Sequence, residues 1–192
     1  VIRTERAPEP DNFGADVREP GRRWLAEHPT SKSYPPYWRK VSAELEAAFH
    51  GRCAYTAMAL MGPGTVDHFV SLDEDRSQGY EWRNYRHAAA WMNSKKSALR
   101  SDQILDPCEI GEDWFELSLP GCELRVTERC PEALRDRARF MLRRLGLDHG
   151  PDVLRCRKKW LELHEKGLPF VELDARAPLL ARAIRKAAEP PK

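Results

Sequence analysis

No apolar run in the 192 residues approaches the roughly 20 that a membrane helix requires, so no spanning helix is expected. The basic residues near the N-terminus are not followed by an apolar core, and no secretory signal is read there. Cysteines are few: five, an odd number without paired spacing, which points to reduced thiols in a cytoplasmic protein rather than a disulfide framework. Net charge is small, with 32 Lys and Arg against 30 Asp and Glu, so no global field gathers polyanions. A nucleic-acid partner would have to be held by a local patch, and residues 135–159 offer one. Internal repeats and low-complexity tracts are missing. The length suits one domain with appended helices and a real core.

What is present divides into three regions. Residues 1–36 are charged and carry Pro8, Pro10, Pro20, Pro29, Pro35 and Pro36. They read as an extended arm, partly disordered or laid over the domain or a partner, with a short helix at 22–27 exposing Trp24 and Leu25. Residues 37–128 form the expected core. In it, Val41, Leu45, Ala48 and Phe49 recur at helical spacing, and Gly51 can end that helix. Residues 53–55 then read as a first strand, Met61 to Gly64 as a turn and residues 65–69 as a second strand. The segment 82–96 looks helical, and residues 114–119 and 123–126 flank Pro120 and Gly121 as a β-hairpin.

Residues 129–192 should be helical. Pro131, Pro151 and Pro178 stand where helices begin, and Gly146 and Gly167 stand where they end. The last of these presents Leu179, Leu180, Ala183, Ile184 and Ala187 to the domain or to a partner. Arg135, Arg137, Arg139, Arg143, Arg144, Arg155, Arg157, Lys158 and Lys159 decorate the two helices before it. They form either a solvated face balanced by acids or a phosphate-contacting surface whose affinity falls with salt. The fold class is therefore α+β.

The chemistry concentrates in residues 66–97, VDHFVSLDEDRSQGYEWRNYRHAAAWMNSKKS. An acid–imidazole pair, Asp67 and His68, ends a strand, and Asn84 and Asn93 follow 16 and 25 residues after His68. This set suits metal-assisted phosphodiester hydrolysis. A hard divalent cation takes oxygen ligands, which the Asp67 carboxylate and the Asn93 amide oxygen could supply. His68 could take a proton from the attacking water, and Lys95 or Lys96 could hold the phosphate. His87 and Asp106 are competing ligands, Asp106 also reading as a turn residue, and Asn84 could cap a helix.

On these residues the stretch resembles the HNH, or His-Me finger, endonucleases. The resemblance implies a ββα-metal finger plus a short β-hairpin embedded in a mainly helical domain. It makes His68 the general base at the end of the finger's second strand, Asp67 and Asn93 the holders of one Mg²⁺ or Mn²⁺, and Asn84 the loop-bracing member of the catalytic set. Many relatives bind a structural zinc through two Cys-x-x-Cys pairs. Here those positions are Cys53, Thr56, Ala89 and Met92, so no structural zinc is expected. Residues 34–56, 104–119 and 143–160 resemble the HNH proteins that accompany ATPases in phage-defence operons, including the Septu type. The implied protein is the DNA-cutting subunit of an ATPase-associated antiviral complex, with RNA a weaker substrate. The alternative is a catalytically weak adaptor that binds nucleic acid or the ATPase partner.

Overall fold

A computed structural model describes residues 1–97 and 99–189. The architecture is α+β, with seven α-helices and two separate two-stranded antiparallel sheets among the described residues. Helix α1, Glu19–Glu27, continues directly from a π-helical turn at Gly14–Arg18. Pro20, which has no N–H to donate, falls where the π-helical turn gives way to α1. Residues Tyr37–Val41 form a 3₁₀ turn that leads into α2, Ser42–Ala48.

The first sheet departs from the sequence-based expectation. Strand β1, Thr65–His68, pairs with β2, Tyr85–Ala88, and not with residues 53–55. The latter lie in a turn closed by Cys53 N–H donating to the Met58 carbonyl, beside an isolated bridge between Arg52 and Ala59. Asp67 and His68 thus end the first strand of the observed pair, and the segment read as one helix over 82–96 is three elements. A 3₁₀ turn, Trp82–Asn84, precedes β2, and α3 covers only Ala90–Lys96. Trp82, Tyr85, Ala89 and Met92 are spaced like a helical stripe, yet all four residues of β2 are buried. A strand buried on both faces has no alternation to betray it. Ala89, at φ −62° and ψ 140°, is where the extended chain turns into α3.

The second sheet, β3 (Phe115–Ser118) and β4 (Glu123–Val126), forms the expected hairpin. Helices α4 (Glu132–Leu145) and α5 (Pro151–Glu165) follow, then α6 (Phe170–Arg176), which the sequence pattern did not separate from its neighbours, and α7 (Pro178–Ala188). Gly146, with φ 64°, ends α4 in the left-handed conformation that only glycine adopts freely. No helix among the described residues is long and apolar enough to cross a membrane.

One hydrophobic cluster joins all three regions, from Phe13 and Val17 through Tyr55, Tyr85 and Met92 to Met141, Leu145 and Leu180. The arm is laid over the domain. Thr4 N–H donates to the Pro107 carbonyl, the Trp82 indole donates to the Ala7 carbonyl, and Gly21 packs against the Tyr80 ring. Arg6 reaches Asp106 at 2.8 Å, where Arg86 of β2 already forms a forked pair through Nε at 2.8 Å and a second nitrogen. Asp106 also accepts the Cys108 N–H, so it is both turn residue and counter-ion.

Arg86 and Asp106 are almost wholly enclosed, and removing either leaves an uncompensated charge in the core. Asp106→Ala should therefore cost about 3–5 kcal/mol of unfolding free energy, measured by urea denaturation. A loss below about 1 kcal/mol would show that the pair is solvated.

Candidate functional site

The candidate site is built where α3 lies along β1. Asn93 Nδ2 donates to Thr65 Oγ1 at 3.2 Å and to the Val66 carbonyl at 3.3 Å. One turn later Lys96 Nζ donates to the His68 carbonyl at 2.6 Å and sits 3.2 Å from Asp67 Oδ1. Three residues of helix advance about 4.5 Å and two residues of strand about 6.6 Å, so neighbouring helix positions meet successive strand positions when the two run alongside. The Asn93–Lys96 spacing thereby locks the phase of the helix on the strand.

Strand alternation sorts the side chains onto two faces. Asp67 lies opposite Arg86, on the face that meets Tyr55, Lys96 and Asp106. Its Oδ2 accepts the Tyr55 hydroxyl at 2.5 Å. Burial, and then the neighbouring Asp67 charge, hold the Tyr55 phenol well above its usual range, so it remains a neutral donor. His68 lies opposite Tyr85, on an aromatic face. Its ring meets Trp38 edge-on at 4.7 Å and Tyr85 at 5.1 Å.

His68 Nε2 lies 2.9 Å from the Gly79 carbonyl, which also accepts the Tyr85 hydroxyl at 2.9 Å. A carbonyl only accepts, so Nε2 carries the proton and Nδ1 keeps its lone pair in the neutral ring. Burial pushes the imidazole below its ordinary 6.5, against smaller opposing effects of the Gly79 bond and Asp67. The ring is thus held as a neutral base of fixed tautomer.

Asn84 is 4% exposed and fully committed to backbone. Its Nδ2 donates to the Val70 and Gln78 carbonyls at 2.9 and 3.0 Å, and its Oδ1 accepts the Val70 N–H at 2.7 Å. These bonds pinch together the two ends of the loop that carries Gly79. Asn84 is consequently tied to the loop beside His68, with its amide wholly occupied by backbone.

The two lysines separate. Lys96 is 1% exposed and neutralises Asp67, whereas Lys95 reaches outward to Asp152 at 3.0 Å and lies over the Trp91 ring. Of the two, Lys95 is the one open to solvent. His87, expected on a helix, is on β2; its Nδ1 lies 3.1 Å from the Arg52 carbonyl. Its Nε2 packs so tightly on Gly64 that a Cβ there would come within 1.9 Å. It faces away from Asp67, and Asp106 is held by arginines, so neither joins Asp67 and Asn93.

Cys53, Thr56, Ala89 and Met92 are all buried. Among the described residues no three His, Cys, Asp or Glu side chains gather to hold a metal ion. For a catalytic divalent cation the donors are Asp67 and Asn93 Oδ1. The first is already compensated by an enclosed ammonium, and the second is a neutral amide. This donor set does not fit a resident divalent cation.

The basic helices also divide. Arg157 is buried and donates to the carbonyls of Cys122, Leu147 and Asp148, and burial lowers its pKa to about 10. Arg135 and Arg137 likewise clamp backbone carbonyls. Arg143, Arg144, Arg155, Lys158 and Lys159 are exposed, and Arg144 reaches the Lys95 carbonyl at 3.1 Å, joining this surface to α3. Tyr55 and Trp38 were missed from sequence. Tyr55 lies 12 residues before Asp67 in a segment expected to be strand, and nothing local marks either side chain as part of the site.

The chain matches no protein-family model and no curated protein.

The depressed His68 pKa fixes the sign of a pH effect. The unfolded chain takes up the proton near pH 6.5 and the folded chain only at lower pH, so stability falls as pH drops below about 6.5. Imidazole NMR should show His68 half-protonated below pH 6.5, with the Nε2-protonated tautomer above it. A midpoint above 6.5 would contradict the enclosed setting.

Proposed function

We propose that this chain hydrolyses phosphodiester bonds in DNA as an HNH-type endonuclease, with β1, β2 and α3 as its ββα finger. The observation that carries the reading is the neutral His68, whose tautomer is fixed by the Gly79 carbonyl so that Nδ1 is the basic nitrogen. Asn84 braces the loop that supplies this carbonyl. In this reading Nδ1 removes a proton from the water that attacks phosphorus. Lys95 and the exposed arginines of α4 and α5 hold the backbone by charge, without reading sequence. One Mg²⁺ or Mn²⁺ stays part of the proposal, as does an ATPase partner in an antiviral complex. Because the free protein's donors do not fit the cation, no step is assigned to it.

A second reading has one observation in its favour. Asp67 is paired with Lys96 and Tyr55 inside the protein, as a structural carboxylate would be. On that reading the chain is a catalytically weak adaptor for nucleic acid or the ATPase partner.

The test is plasmid cleavage with Mg²⁺, Mn²⁺ or a chelator, with and without the partner ATPase. Nicking should fall by at least about 100-fold in His68→Ala, in keeping with loss of a general base. Asn84→Ala should lose activity too, but with an altered His68 titration, since it moves the base instead of deleting it. Cleavage unchanged in His68→Ala would remove His68 from catalysis. No cleavage under any condition, with an intact biological effect in the variant, would favour the adaptor.

A further inference from the structure

The positive charge beside Asp67 belongs to the chain itself. Lys96 enters from the last turn of α3, is 1% exposed, and has its Nζ 3.2 Å from Asp67 Oδ1 and 2.6 Å from the His68 carbonyl. The other carboxylate oxygen takes the Tyr55 hydroxyl at 2.5 Å. A dication at Asp67 would share a poorly solvated space with this ammonium, and like charges at such range repel strongly where water does not screen them. It would gain only one further protein oxygen, from neutral Asn93, where hard cations take about six oxygen ligands.

We infer that Lys96 is the resident cation of this site, and that Lys96 and a divalent cation exclude each other at Asp67 in the free protein. The site is closed by charge, and admitting a divalent ion requires that the ammonium leave the carboxylate. The inference rests on the nuclease reading only for its bearing on hydrolysis. The exclusion is a binding equilibrium, so it is tested without substrate, and its failure differs from failure of the cleavage assay.

The experiment is a Mn²⁺ titration of the purified chain, followed by the electron paramagnetic resonance signal of the free ion and by thermal denaturation. Wild type should leave about 100 μM Mn²⁺ free, and its melting temperature should not respond to the ion. Lys96→Met should melt on the order of 10 °C lower, because Asp67 loses its counter-ion. It should recover part of that loss in Mn²⁺, with at least about tenfold tighter binding than wild type. Asp67→Asn combined with Lys96→Met should abolish the response. If Lys96→Met is too unstable to purify, Lys96→Gln, which keeps a donor for the His68 carbonyl, is read in its place.

One Mn²⁺ bound by wild type at or below about 100 μM, and lost in Asp67→Asn, would overturn the inference without any lysine variant. Equal Mn²⁺ affinity in wild type and the lysine variant would overturn it as well.

Discussion

A carboxylate buried at the end of a two-stranded sheet has to be compensated, and the way Asp67 is compensated determines much of what surrounds it. Each desolvated ion costs several kcal/mol, so such a pair persists only with close geometry and further hydrogen bonds. Here both conditions are met by Lys96, which bonds Asp67 and the His68 carbonyl together, and by Tyr55 on the other oxygen. The lysine can do this only if α3 lies along β1 in one phase. Asn93, a turn earlier, fastens the same helix to Thr65 and Val66. Helix position, strand end and the charge at the site are therefore one constraint.

The sheet separates two environments that a shared pocket would blend. One face carries ionic networks, Asp67 with Lys96 and Arg86 with Asp106 and Arg6. The other encloses His68 between Trp38 and Tyr85, with Tyr80 packed beside Trp38. Adjacent residues in sequence thus receive opposite treatment. Asp67 has the Lys96 ammonium built in next to it, whereas burial disfavours the protonated imidazole of His68. A base beside a charged acid is obtained by alternation along a single strand.

Periodicity and turn residues made the C-terminal half legible. Pro151, Pro178 and Gly146 stand where the sequence reading put them, and the β3–β4 hairpin follows from the turn at Pro120 and Gly121. Over residues 53–96 the sequence reading misplaced the strand pairing. Tyr85 to Ala88 is buried on both faces, so no alternation separated a strand from the helix that follows. Residues 53–55 carry apolar side chains as a strand would, yet Cys53 closes a turn with Met58 and Ala54 N–H makes a single bond to β2, at the His87 carbonyl. Charge patterning was also ambiguous. Lys95 and Lys96 are adjacent and chemically alike, and only the packing of α3 sends one outward and the other to Asp67. Arg157 belongs to the same lesson, a buried clamp for three carbonyls within what looked like a basic surface.

The N-terminal arm gains its meaning from the same wall. Proline and charge made residues 1–36 resemble an accessory segment, but the arm packs on the wall that surrounds His68. Gly21 lets α1 approach the Tyr80 ring, and Tyr80 in turn donates its hydroxyl to the Pro35 carbonyl. Those contacts fix the 34–41 stretch, from which Trp38 closes over His68. Tyr80 also follows directly on Gly79, whose carbonyl sets the His68 tautomer. The arm, through Tyr80, thus joins Trp38, the loop braced by Asn84 and the end of β1 in the wall around one imidazole.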